Sequence, residues 1–117
     1  MDDLYILKGT IPVVCRDILE WGEWFKTADR NVARTTINQY LISTVFLGVD
    51  HNFYGGDPLL FETMVFKIAP PNDPQNDIAM DEYTRRYSTW IDAEIGHGEV
   101  VKQIRRLSLV VIEGTVQ

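Results

Sequence analysis

The chain has 117 residues, a formal net charge of −6 and a single cysteine, with 45% apolar and 24% charged residues. That length and composition predict one globular domain, 1–117, large enough to bury its own core. The acidic balance excludes nucleic-acid binding by charge alone, Cys15 by itself excludes an internal disulfide, and no run approaches the ~18 apolar residues of a membrane span.

Residues 4–7 read as a first strand, ended by Lys8-Gly9. Residues 10–14 continue in extended form, and Pro12, which lacks an N–H, belongs at a sheet edge or outside the sheet. Residues 16–28 predict a helix, because Ile18, Trp21, Phe25 and Ala28 recur at helical spacing and Leu19 and Trp24 widen the stripe. Asp17, Glu20 and Glu23 lie toward its N-terminal end and Lys26 toward the other, as the helix dipole favours. Gly22 costs about 1 kcal/mol relative to alanine, which close approach of another backbone would explain.

Residues 31–37 and 40–47 predict a hairpin around Asn38-Gln39. Residues 49–58 form a polar, glycine-containing loop. Residues 59–67 predict a central strand with Phe61, Thr63 and Val65 on one face and Glu62, Met64 and Phe66 on the other. Glu62 on such a strand requires a partner. Residues 69–77, APPNDPQND, lack apolar periodicity, and the stretch 69–80 reads as a mobile loop. Residues 82–87 form a short strand, with Tyr83, Arg85 and Tyr87 on one face.

Thr89 and Asp92 make a capping-box-like start to a final helix. Its apolar side, Trp90, Ala93, His97, Val100, Ile104, Leu107 and Val111, alternates spacings of three and four. The tail, 108–117, either prolongs that helix or starts a strand, and is a candidate for pairing with a second subunit. The order β-α-β-β-β-β-α predicts an α+β fold, an antiparallel sheet of four to five strands with two helices packed on one face. Large apolar side chains on both faces predict a homo-oligomer.

Candidate chemistry concentrates in three places. The loop VDHNFYGGDP presents Asp50, His51, Tyr54, Gly55 and Gly56. As a metal site Asp50 and His51 would need Asp57, Glu62 or His97 to join them. As a phosphate cradle Gly55-Gly56 would present backbone N–H groups, though Asp57 would repel an anion and no lysine follows. The bland alternative is a connection whose glycines supply positive φ while Asn52 and Asp57 make local turn bonds. His97, between Gly96 and Gly98, reads either as a satisfied core histidine or as a ligand or acid–base group. Arg85, Arg86, Tyr87 and Trp90, with Tyr83, could stack a ring and hold an anion, or could cover an apolar edge with arginine stems. Ser-His-Asp, CxxC, Walker and dinucleotide patterns are lacking, so no cofactor is expected.

The segments 21–30 (W-x-x-W-F-x-T-A-D-R), 43–66 (STVFLG-x-DH-x-F-x-G-G-x-P-LLFETMVF) and 86–97 (RYSTW-x-x-A-x-x-GH) resemble a family of small bacteriophage and prophage proteins for which no activity is established. The resemblance implies a place of action, the host bacterial cytoplasm, rather than a mechanism. A phage protein without a catalytic signature is expected to bind. The leading expectation is a defence antagonist that sequesters a small nucleotide-derived signal, as an oligomer, with no membrane and no direct nucleic acid partner. The alternatives are an acidic inhibitor of a host nuclease or defence complex, and a small metal-dependent enzyme using Asp50, His51 and His97.

Overall fold

The computed structural model describes residues 4–68 and 77–116, with side chains described as far as Leu109. Strands β1 (Tyr5–Lys8) and β2 (Ile11–Val14) form an antiparallel ribbon, paired from Tyr5↔Val14 to Lys8↔Ile11. Gly9, at φ 64°, turns the chain between them. Pro12 sits opposite Leu7 in this two-stranded sheet, where one side of its strand needs no donor.

Helix α1 (Ile18–Thr27) starts two residues later than the predicted 16–28, because Asp17 is extended and caps it. The Asp17 carboxylate accepts from the backbone N–H of Leu19 at 2.9 Å and of Glu20 at 3.4 Å. Its aromatic residues carry the packing. Trp21 stacks on Phe25 with centroids 4.6 Å apart, and Trp24 meets Phe46 edge-on at 5.8 Å. Ile18 and Leu19, expected on the packed stripe, are exposed. The expected close approach of another backbone at Gly22 is also absent, with no described residue within 4 Å of a Cβ there. At Gly48 the side chains of Phe25 and Trp21 come within 3.2–3.4 Å of where a Cβ would lie. Gly48 has φ 77°, and the Trp21 indole N–H is shared between the Tyr5 and Gly48 carbonyls at 3.1 Å each.

The main sheet is antiparallel throughout. Strands β3 (Asn31–Ile37) and β4 (Tyr40–Phe46) form the predicted hairpin, with Asn38 at φ 51° in its turn. Asn38 also donates its side-chain amide to Ser108. Strand β5 (Phe61–Lys67) pairs along the whole of β4, from Tyr40↔Lys67 to Phe46↔Phe61. Its other edge is divided between β6 (Ile78–Ala79), opposite Phe66 and Lys67, and β7 (Arg85–Tyr87), opposite Phe61 to Thr63. Residues 82–87 are thus not all strand: Asp81–Tyr83 form a 3-10 turn before β7. The acidic loop at 69–76 lies outside the described residues, while Ile78–Ala79 after it pair with the sheet.

Helix α2 (Trp90–Val116) lies across the sheet, and the backbone of the tail continues as helix. Side chains from 110 onward, Val111 among them, lie outside the described residues. Ala93, His97, Val100 and Ile104 are buried, as the three-and-four spacing predicts. They divide the core into two apolar clusters. One joins Tyr40, Ile42 and Val65 to Val100, Val101 and Ile104; the other joins Phe46, Leu60, Phe61 and Ala93. Trp24 of α1 packs against the second cluster, so both helices lie on the same face. The fold is α+β, as predicted, with the β1–β2 ribbon added beside the main sheet.

Candidate functional site

On each of β4, β5 and α2 one polar residue falls between the two apolar clusters: Thr44, Thr63 and His97, all buried. They form a continuous hydrogen-bonded chain. Thr35 on β3 bonds His97 Nε2 at 2.8 Å, and Thr44 bonds His97 Nδ1 at 2.7 Å. Thr44 and Thr63 hydroxyls are 2.6 Å apart, and Thr63 reaches the Tyr87 hydroxyl at 3.1 Å. A neutral imidazole has one donor and one acceptor nitrogen, and a hydroxyl serves either role, so the chain is satisfied in both tautomers. Burial lowers the His97 pKa from its ordinary value and raises that of Tyr87. Both ring nitrogens of His97 are therefore engaged, and the ring bridges two strands to the helix.

Tyr87 reaches Thr63 because residue 96 has no side chain. A Cβ there would overlap the Tyr87 ring and hydroxyl. Gly98 has no such neighbour among the described residues, none of which lies within 4 Å. The pair of glycines around His97 thus has one packing reason, not two.

The loop at 49–58 is held by its own polar groups. Asp50 Oδ1 accepts from the backbone N–H of Asn52 at 2.7 Å and of Leu59 at 3.0 Å. The Asn52 side chain donates to the Asp57 carbonyl at 2.8 Å and accepts from the Tyr54 N–H at 3.2 Å. His51 donates its backbone N–H to the Leu59 carbonyl and its Nδ1–H to the Val49 carbonyl at 2.9 Å, which fixes that tautomer. Gly55 and Gly56 take φ 86° and 96°, so the tight return rests on them. The result is an ordered loop that leaves Phe53 80% and Tyr54 99% exposed. Among the described residues no three His, Cys, Asp or Glu side chains come together as a metal site.

The two arginines point to opposite faces of the sheet. Arg85 shares the α2 face and approaches Glu99 at 3.8 Å; Arg86 pairs with Glu62 across β7 and β5 at 2.9 Å. Glu62, only 13% exposed in its side chain, thereby gains its required partner. Trp90 packs edge-on against Phe61 at 6.1 Å. Between β7 and the first turns of α2 runs a groove of about 390 Å³. Leu59, Tyr87 and Ile95 line it with apolar groups, and Arg86, Ser88, Asp92 and Glu99 with polar ones.

Of the residues singled out by sequence, Arg86 and Tyr87 border this groove, and His97 connects to it through Thr44, Thr63 and Tyr87. The loop meets it through Leu59, whose backbone is bonded to Asp50 and His51. Tyr54, Gly55 and Gly56 are at the loop tip, and Trp90, half-buried, packs against the second core cluster; neither group borders the groove. Sequence reasoning missed Thr35, Thr44, Thr63, Asp92 and Glu99. Thr44 and Thr63 carried a signal: each is a polar position on the buried side of a strand whose alternation is otherwise apolar. Comparison of the chain with protein families, with curated proteins and with solved structures found no match.

Proposed function

We propose that this is a non-catalytic binding protein that antagonises a bacterial defence system by docking on one of its proteins. The observation that carries this reading is the loop at 49–58, whose hydrogen bonds hold two adjacent aromatic side chains, Phe53 and Tyr54, almost wholly in solvent. Aromatic anchors are over-represented among binding hot spots, and an ordered loop has less conformational freedom left to lose on docking. The resemblance to phage proteins supplies the setting. The net charge of −6 favours a partner with a basic surface.

A second reading, sequestration of a small nucleotide-derived signal, is favoured by the groove beside Tyr87, whose volume of about 390 Å³ falls within the range of ligand pockets. An anion entering it would meet Asp92 and Glu99, while Arg85 and Arg86 already face carboxylates. Protein docking is therefore the stronger reading.

The test is expression in bacteria carrying individual defence systems, challenged with phage. A system neutralised by the native chain should recover when Phe53→Ala and Tyr54→Ala are combined, and a purified component of it should bind the native chain but not the variant. If the double variant neutralises every system as well as the native chain, the docking reading fails. Calorimetry against cyclic and ADP-ribose-type nucleotides tests the second reading, which predicts heat that Tyr87→Ala abolishes.

A further inference from the structure

The groove between β7 and α2 has a chemistry that the aromatic loop does not share. Leu59, Tyr87 and Ile95, the last 58% exposed, give it apolar lining beside Ser88 and Gly96. Ile91, one turn earlier on α2, is 68% exposed and extends the apolar surface outward. Asp92 and Glu99 give the groove acidic lining. Among the described residues Asp92 has no ion pair, and the ion pair of Glu99 is with Arg85, at 3.8 Å. Arg86 borders the groove, but its guanidinium is drawn to Glu62 on the far face of the sheet. The site therefore combines a slot for a hydrocarbon stem with two carboxylates for a cationic head.

We infer that this groove receives a lysine or arginine side chain of the docked protein, the stem lying against Leu59, Tyr87 and Ile95 and the charge reaching Asp92 and Glu99. Charge complementarity selects this occupant. A carboxylate or phosphate would be repelled by Asp92 and Glu99, and a purely apolar side chain would desolvate those carboxylates without pairing them. Long basic side chains bury their stems while keeping the charged end near water, which is the layout of this groove. Gly96 contributes by letting the Tyr87 ring approach α2 closely, and both residues line the groove. The inference rests on the protein-docking reading for its biological meaning, but its chemistry is testable without the partner.

The experiment is a titration of the isotope-labelled protein, followed by amide chemical shifts, with Nα-acetyl-arginine amide and Nα-acetyl-lysine amide. Nα-acetyl-citrulline amide serves as the neutral isostere and Nα-acetyl-norleucine amide as the apolar control. Shifts confined to Tyr87, Asp92, Ile95, Gly96 and Glu99 are expected with the two cations. Weakening of at least about fivefold is expected for Asp92→Asn and for Glu99→Gln, whose retained spectral dispersion shows that they fold. Added salt should weaken binding in the native protein. Equal binding of citrulline or norleucine, shifts elsewhere on the molecule, or none up to the solubility limit would each overturn the assignment. These outcomes are separate from the fate of the docking reading, which the loop variants decide: fragment binding with active loop variants would leave the groove assigned and the function wrong.

Discussion

The contrast between Gly96 and Gly98 gives the most direct test of how the buried polar chain is built. Both lie inside α2, where glycine costs about 1 kcal/mol relative to alanine. At Gly98 no described residue lies within 4 Å of the place an added Cβ would take, so Gly98→Ala should recover most of that cost. For a domain of this size this raises the melting temperature by about 4 °C. At Gly96 the added carbon overlaps Tyr87. Restoring ordinary contact, at about 3.5–4 Å, moves the ring by more than roughly 1 Å and draws its hydroxyl from Thr63. Overpacking of this kind costs about 1–3 kcal/mol and the lost hydrogen bond about 0.5–1.5, against the helix gain of about 1. Gly96→Ala should therefore destabilise by about 1–3 kcal/mol in urea titrations, where Gly98→Ala stabilises. In a Tyr87→Ala background the clash is gone, and Gly96→Ala should become neutral or stabilising. If the two glycine variants behave alike, or if Tyr87→Ala leaves the Gly96→Ala penalty intact, the packing argument is wrong.

His97 should make the fold sensitive to acid. Burial holds its pKa below the usual 6.5, so the unfolded chain binds a proton more readily; this contribution is complete above that value and is lost as pH falls toward the folded-state pKa. Denaturant titrations at pH 7.5 and 5 should show that decline, and His97→Gln should flatten it; an unchanged slope would remove His97 as its source. Asp50→Ala leaves two loop N–H groups without their acceptor and should cost about 1–2 kcal/mol, with faster proteolysis in 49–58. Trp21→Phe removes the indole donor shared by Tyr5 and Gly48 and should cost about 1 kcal/mol or more by thermal melting, because both carbonyls lose a partner.

Much of the fold is legible because its signals are periodic. The spacing of Ala93, His97, Val100 and Ile104 places one face of α2 on the sheet, and alternation along 40–46 and 61–67 places two strands beneath it. What escaped has a local physical cause. The ribbon β1–β2 depends on Gly9 turning a four-residue strand back on itself, which weighs little against Pro12 in the same stretch. The start of α1 is set by the Asp17 cap rather than by the apolar stripe, which leaves Ile18 outside the packing. Strand β7 is shortened because Asp81–Tyr83 wind into a 3-10 turn before the chain reaches the free edge of β5.

The candidate site is less legible, because register decides its chemistry. Arg85 and Arg86 are adjacent in sequence and read together as an anion site, yet neighbours on a strand face opposite ways. Pairing β7 with Phe61 to Thr63 sends Arg86 to Glu62, while Arg85 turns toward Glu99 on the helix. A shift of one residue in that register would exchange their faces and leave different carboxylates to compensate them. No count of charges along the chain contains that information. The same register sets Tyr87 beside Phe61 and so brings its hydroxyl to Thr63, connecting the wall of the groove to His97. The groove beside Tyr87 is accordingly lined by Asp92 and Glu99 as well as by Arg86, and Arg85, which does not line it, stands 3.8 Å from Glu99.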